Sequence, residues 1–329
     1  MKKTTGLRVN VDFTKKNYKI LHIGLCANGY PLNGFQKALI NRAYEYKELN
    51  CGEMHFNEKA ISLANSMKPD IIFIQIQNSG IISIDTVIKL KQTGAYVVNW
   101  TGDVREDVPK WMIDIAPHLD NTLFSNMTDV YKMREMGFKS DYLEIGVDEN
   151  IFTGVGHSNK IEPIVFFGNN YGSGYFPMSQ YRIDMVSHLK RTFKNNFGVY
   201  GNGYAEASGN FCSSQHEESA AYRGTKMAIN VSHFEYERYS SDRMLRILGS
   251  GTLCLAKWYP SIEKDFIDGK HIRTWKTLEE LTELCNYYLD ENNEAQRAKI
   301  AKSGMRLCHK KFTFNSMVDN LIEIYKLKK

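Results

Sequence analysis

The sequence predicts an α/β protein made of two Rossmann-like, doubly wound domains facing a cleft. Three observations carry that prediction. Apolar, strand-like runs alternate with amphipathic helical stretches along the whole chain, the order that builds parallel sheets through crossover helices. Several runs, among them DIIFIQIQ at 70–77 and PIVFFG at 163–168, are apolar at nearly every position, as strands covered on both faces are. The pattern also restarts once, after a polar stretch at 154–160, and 329 residues are enough for two cores. The expected division is 1–152 and 153–329.

In the first half, Leu7, Val9, Val11 and Phe13 alternate with polar residues, and KILHIGL at 19–25 is a strong strand. The loop CANGYPLNG at 26–34 follows, then a helix over 35–48, the opening of a βαβ unit. A short strand at 53–56, a helix at 59–67, the strand at 70–77, a helix at 84–94 and a strand at 96–100 continue it. Strands at 121–125 and 141–144 flank a helix at 128–136. IGVDENIF at 145–152 closes the domain.

The second half repeats the scheme. A strand at 163–168 ends in Gly168, with Asn169 and Asn170 after it. A helix at 181–194 and a strand at 197–200 lead to Gly201–Asn202–Gly203, and a short helix at 217–223 precedes residues 230–259. That stretch, NVSHFEYERYSSDRMLRILGSGTLCLAKWY, reads as strand, polar loop, helix, glycine turn, strand. Ser240, Ser241 and Asp242 suit a helix N-cap. Met244, Leu245, Ile247 and Leu248 give the helix an apolar face, and Gly249 and Gly251 end it. Thr277 and Glu280 form a capping box for the helix behind them. Helices at 293–310 and from Phe314 to Tyr325 finish the chain.

In open α/β sheets ligands lie beyond the carboxyl ends of the strands. The loops there are 168–171, 201–203 and 240–243 in the second domain, and 28–34, 77–80 and 101–103 in the first. A helix start with Arg243 in its first turn brings amides and a guanidinium to one spot, which suits an anion; a capped surface helix is the plainer reading. Asp103, just after Trp100, is a candidate base, with helix capping or pairing to Arg105 as its structural alternative. His22 sits in an apolar strand and reads as a core histidine. Of His118 and His233, the second lies beside the anion loop. Tyr236, Tyr239, Trp258 and Tyr259 cluster near it, as core or as a stacking surface.

The stretch from Ser240 onward, SSDRMLRILGSGTLCLAKWYPSIEKDFIDGKHIRTWKTLEEL, resembles the C-terminal domain of CgeB-like, spore-maturation type glycosyltransferases. The matching residues are Asp242, Arg243, Gly251, Pro260, Ile262, Glu263, Phe266, Gly269, Lys270, Glu279, Glu280 and Leu281, and the likeness spans roughly 161–325. It implies the GT-B arrangement, a final helix packed back on the first domain, and transfer of a sugar from a nucleotide diphosphate to an acceptor hydroxyl. Arg243 and the helix amides then take the diphosphate, and Asp103 acts as base. Gly168, Asn169, Asn170, Gly201, Asn202, Tyr222, His233, Ser240, Ser241, Asp242 and Gly251 fall on the donor side. Asn28, Gly29, Gly34, Trp100 and Thr101 fall on the acceptor side. Arg246 stands where that family usually has an acid, which leaves donor identity open.

The chain contains no DxD motif, so a metal-independent reaction without a resident cofactor is expected, and no metal site. Six cysteines without CxxC spacing predict reduced thiols in a cytoplasmic protein. No run approaches the roughly 18 apolar residues of a membrane span, and the N-terminus lacks the apolar core of a secretion signal. A net charge of +5 accommodates a polyanion without requiring one. The acceptor is therefore open among glycan, small molecule, protein and duplex DNA, with hydroxymethylated pyrimidine in phage DNA as one specific candidate. Two rivals remain: a non-catalytic nucleotide- or sugar-binding protein on the same scaffold, and a Rossmann oxidoreductase or epimerase. GNGYAE at 201–206 lacks the last glycine of a dinucleotide fingerprint, which disfavours the second rival.

Overall fold

The computed structural model describes residues 17–25, 33–210, 212 and 214–328. The expected strand at 7–13, and Asn28 and Gly29, lie outside them. The first lobe is a six-stranded sheet in the order β2-β1-β3-β4-β5-β6. Its strands are β1 (Tyr18–Gly24), β2 (Ala43–Asn50), β3 (Ile71–Gln75), β4 (Tyr96–Thr101), β5 (Asn121–Phe124) and β6 (Ser140–Tyr142). Every pairing is parallel. The crossovers are α1 (Asn33–Arg42), α2 (Phe56–Met67), α3 (Ile84–Gln92), α4 (Lys110–Ile115) and α5 (Met127–Glu135). Strands β3, β4 and β5 are buried at every position, as strands covered on both faces are.

The second lobe is a five-stranded parallel sheet in the order β11-β10-β9-β7-β8. It contains β7 (Ile164–Phe167), β8 (Phe197–Tyr200), β9 (Met227–Asn230), β10 (Leu253–Lys257) and β11 (Arg273–Trp275). Around it lie α6 (Ser179–Phe193), α7 (Gln215–Gly224), α8 (Asp242–Gly249), α9 (Leu278–Leu289) and α10 (Glu294–Lys311).

The chain then crosses back. Residues 145–152 run beside 312–314, with the Val147 amide donating to the Phe312 carbonyl and the Phe314 amide to Val147. This leaves α11 (Phe314–Lys328) on the first lobe. Its Phe314, Met317, Val318, Leu321, Ile322 and Tyr325 share a core with Phe35, Phe73 and Trp100, and Asp319 takes a bidentate bond from Arg42 of α1.

Two expectations for the first lobe are corrected. The helix foreseen over 35–48 stops at Arg42, and Ala43–Asn50 is the edge strand β2. Ala, Glu, Lys and Leu there favour helix locally, but β1 offers a free edge, and Ala43 and Leu49 bury against it. The strand foreseen at 53–56 is a turn, and α2 begins at Phe56.

The segment joining β9 to α8 docks the lobes together. The Met127 amide donates to the Glu237 carbonyl, the Tyr236 hydroxyl to the Glu106 carbonyl, and the Ser240 hydroxyl to Glu144. The Arg238 guanidinium lies over the Tyr142 ring and is held by Asp265.

Candidate active site in the interlobe cleft

A cleft of about 550 Å³ opens between the lobes. The first lobe supplies Gln75, Gln77, Asp103 and Ser125, all at carboxyl ends of its strands; the second supplies Tyr175, Phe176, His233, Tyr239, Ser241 and Asp242. Each sheet reverses its strand order once, between β1 and β3 and between β7 and β9, and the cleft lies against both reversal points.

At the β7/β9 reversal two arginines converge. Arg182 of α6 is 1% exposed. It occupies the helical stripe shared with Met185, Val186, Leu189 and Phe193, so helix geometry drives it into the sheet face. Its Nη1 donates to the His233 imidazole, 2.6 Å from Nδ1, and its Nη2 to the Asn169 carbonyl at 3.3 Å. Arg243 donates from Nη1 to the Val231 carbonyl at 3.1 Å. Both guanidiniums lie over the Phe166 ring, at 5.2 and 5.3 Å. Gly168 makes the room: a Cβ there would come within 2.6 Å of Arg182 and 3.2 Å of Arg243.

Among the described residues neither arginine forms a salt bridge, and Nε of Arg182 has no partner. Burial, then the neighbouring Arg243, lowers Arg182 to about 10. Burial, followed by both arginines, lowers His233 to about 3, so its imidazole is neutral and can accept from Arg182. Two neighbouring guanidiniums without a carboxylate partner have the charge and donors to hold an anion.

The loops beneath this pair are locked to one another. The Asn169 side chain accepts from the Asn202 amide, Asn170 donates to the Gly203 carbonyl, and the Asn170 amide donates to the Asn202 carbonyl. Gly201 has φ +154°, and a Cβ on it would lie 2.1 Å from the Gly168 carbonyl oxygen, so only glycine permits this approach.

Several expected roles change. Ser240 and Ser241 do not cap α8 with their side chains: Ser240 Oγ donates to Glu144 at 2.6 Å and Ser241 Oγ to Asn230 at 3.0 Å. The Arg243 amide is taken by the Asp242 carboxylate at 2.8 Å, so it is not free for an anion as the helix-start reading expected. The cleft is lined here by His233, Ser241 and Asp242, and Arg243 is not among its lining residues. Tyr222 is fully buried and donates to Glu218, away from the cleft. Gly251 lies at the far end of α8, against Gly154 and Met305. Gly34 packs on Phe314 and Asp148. Trp100 spends its indole N–H on the Leu143 carbonyl, and Thr101 supports the loop through Gln77 and the Asp103 amide.

Asp103 does face the cleft. Its side chain is 65% exposed, 3.8 Å from Arg105, which itself donates to the Gln77 carbonyl. Arg246 is held by two carboxylates, Glu218 of α7 at 3.0 Å and Asp242 at 2.8 Å. Charge in this corner is thus balanced by an acid brought from another helix. His22 is a core histidine, bonded to Tyr46 and Gln75 and lowered by burial to about 4. Arg182, Gln75 and Tyr175 escape a motif reading. The one signal for Arg182 is its place on an otherwise apolar helical stripe.

Two facing α/β lobes, a crossing terminal helix and a site between the sheets define the GT-B glycosyltransferase fold. A family model described as "Glycosyl transferase-like" matches residues 182–323. A glycosyltransferase from Rickettsia africae superposes with TM-score 0.65 at 13% identity, over 95% of this chain and 99% of that one. Anabaena Alr3699/HepE, crystallised with UDP and glucose, gives 0.60 at 9% identity over 94% and 100%. Sucrose-phosphate synthase from Thermosynechococcus elongatus gives 0.64 at 10% over 94% and 98%. No curated protein matches the chain. Among the described residues no helix is long and apolar enough to cross a membrane, and no three His, Cys, Asp or Glu side chains are grouped to hold a metal.

Proposed function

We propose that this chain is a glycosyltransferase that moves a hexosyl or pentosyl group from a nucleotide-diphosphate sugar, in the first instance a UDP-sugar, to an acceptor hydroxyl. The observation that carries the reading is the pair Arg182, fully buried, and Arg243, half-buried, at a sheet reversal point with no carboxylate partner. A leaving diphosphate supplies the missing charge, and preorganised guanidiniums stabilise it as the glycosidic bond breaks. A phosphate oxygen would replace the His233 nitrogen as acceptor for Arg182. Asp103, across the cleft, takes the proton of the attacking hydroxyl. The two cations do the work a metal does elsewhere, so the proposed reaction is metal-independent. The second lobe, 153–329, is the donor lobe in this reading, and 1–152 carries the acceptor side. The motif around Arg243 supports a place among CgeB-like enzymes, and the free cysteines support a cytoplasmic setting.

A binding protein that has lost catalysis is favoured by one observation, Arg246 in place of an acid, and is separated by turnover. The test has two parts. Thermal shift against UDP, GDP, CDP, ADP and dTDP should show stabilisation by one of them, lost in Arg243→Ala. Incubation with UDP-glucose and other nucleotide sugars should release the nucleotide. Stabilisation without release supports the binding protein; neither result refutes the donor site.

A further inference from the structure

We infer that the acceptor is a saccharide, seated face-on against an aromatic pair at the cleft mouth. This rests on the reading that the arginine pair holds the donor. The aromatic pair belongs to the second lobe and shares the cleft with the acceptor-side residues Gln75, Gln77 and Asp103: between β7 and α6, Tyr171 and Tyr175 stack at 5.5 Å with 27° between their planes. They are 52% and 66% exposed. Tyr175 lines the cleft, and Phe176 beneath it packs on His233 at 4.3 Å between ring centres. Gly172 and Gly174 beside the pair face open space, with nothing within 4 Å of where a side chain would start. Two large rings left in water beside a functional cleft form an apolar platform that a flat ligand face covers.

The opposite wall identifies the ligand. Gln75 accepts from His22 and Gln77 from Thr101 through their Oε1 atoms, which leaves each amide nitrogen as a donor for the cleft. Asp103 adds a carboxylate acceptor. Hydroxyl groups both donate and accept, so a ring with an apolar C–H face and a polar rim of hydroxyls matches both walls. A nucleic acid backbone does not. The cation on this wall, Arg105, gives Nη2 to the Gln77 carbonyl and lies 3.8 Å from Asp103, so a phosphate approaching it would meet a carboxylate.

Saturation-transfer NMR tests this on the full chain, with UDP present, using glucose-, galactose- and N-acetylglucosamine-terminated oligosaccharides and a duplex DNA as probes. At least one oligosaccharide should receive saturation on its ring C–H protons. Tyr175→Ala should weaken that binding about fivefold or more, the worth of one aromatic contact, and Tyr175→Phe should keep it. The UDP thermal shift should be the same in all three proteins. The proposal is overturned if no saccharide binds, if Tyr175→Ala leaves saccharide binding intact, or if the duplex binds instead with steep salt dependence. It is equally overturned if Tyr175→Ala abolishes the UDP shift, because the platform then serves the donor. Saccharide binding without any UDP shift in the wild type would refute the donor reading and leave the platform standing.

Discussion

Replacing Arg182 with methionine should raise stability and weaken donor binding together, a combination that a purely structural arginine cannot give. Burial, then Arg243, lowers its folded value to about 10, well below that of a free guanidinium. A cation with a depressed folded pKa loses stability as pH falls through that range, so at neutral pH the full cost applies. At 1.36 kcal/mol per pKa unit this is about 3 kcal/mol as an upper figure. Methionine fills similar volume among Met185, Val186 and Leu189 without the charge. The bonds to His233 and Asn169 are lost, so a net gain of about 2 kcal/mol is expected, or about 3 °C in Tm for a chain of this size. A charge-assisted bond to phosphate contributes about 1.5–3 kcal/mol, so UDP affinity should fall about 10- to 100-fold. Differential scanning fluorimetry with and without UDP reads both. A large drop in Tm with unchanged UDP affinity would refute the reasoning and make Arg182 a structural residue.

Glu144 is buried and held at about 7, chiefly by burial, although Ser240, Tyr142 and the Ile145 amide stabilise its charge. A raised carboxyl costs stability as pH rises from about 4.5 through about 7, so Glu144→Gln should gain up to about 3 kcal/mol over the wild type at pH 8 but little at pH 4, measured by urea unfolding. His22 works in the opposite sense: burial holds it at about 4, and its stabilising contribution disappears as pH falls from 6.5 through 4. Single variants at the two positions should therefore tilt the pH–stability curve in opposite directions; parallel curves would refute both assignments. Gly201→Ala pushes a methyl group to 2.1 Å from the Gly168 oxygen and should cost about 3 kcal/mol or more and weaken UDP binding; an unchanged Tm would show that the loop yields freely. Asp103→Asn should lower kcat about 100-fold without altering the UDP thermal shift, and undiminished turnover would remove Asp103 as the base.

Much of the architecture is legible in the residues because parallel strands buried on both faces leave unbroken apolar runs, as at 71–75 and 164–167. Edge strands leave no such trace. Ala43–Asn50 has the composition of a helix and becomes a strand through its pairing with β1, a tertiary effect that local propensity does not carry. The site divides in the same way. Asp103 and the loops 168–171 and 201–203 follow from strand order alone. The serines before α8 mislead, because the docking of the lobes draws Ser240 to Glu144, 96 positions away in sequence. Arg182 shows itself only as a charge on an apolar stripe, and Gly251 and Tyr222 serve packing that motif spacing cannot separate from binding.

A crystal structure with UDP bound would show whether the arginine pair holds the donor diphosphate. The β-phosphate should lie between the guanidiniums of Arg182 and Arg243, at the reversal between β7 and β9, with His233 released from Arg182. Phosphates seated in the first lobe beside Gln75, or at any surface remote from both arginines, would contradict it.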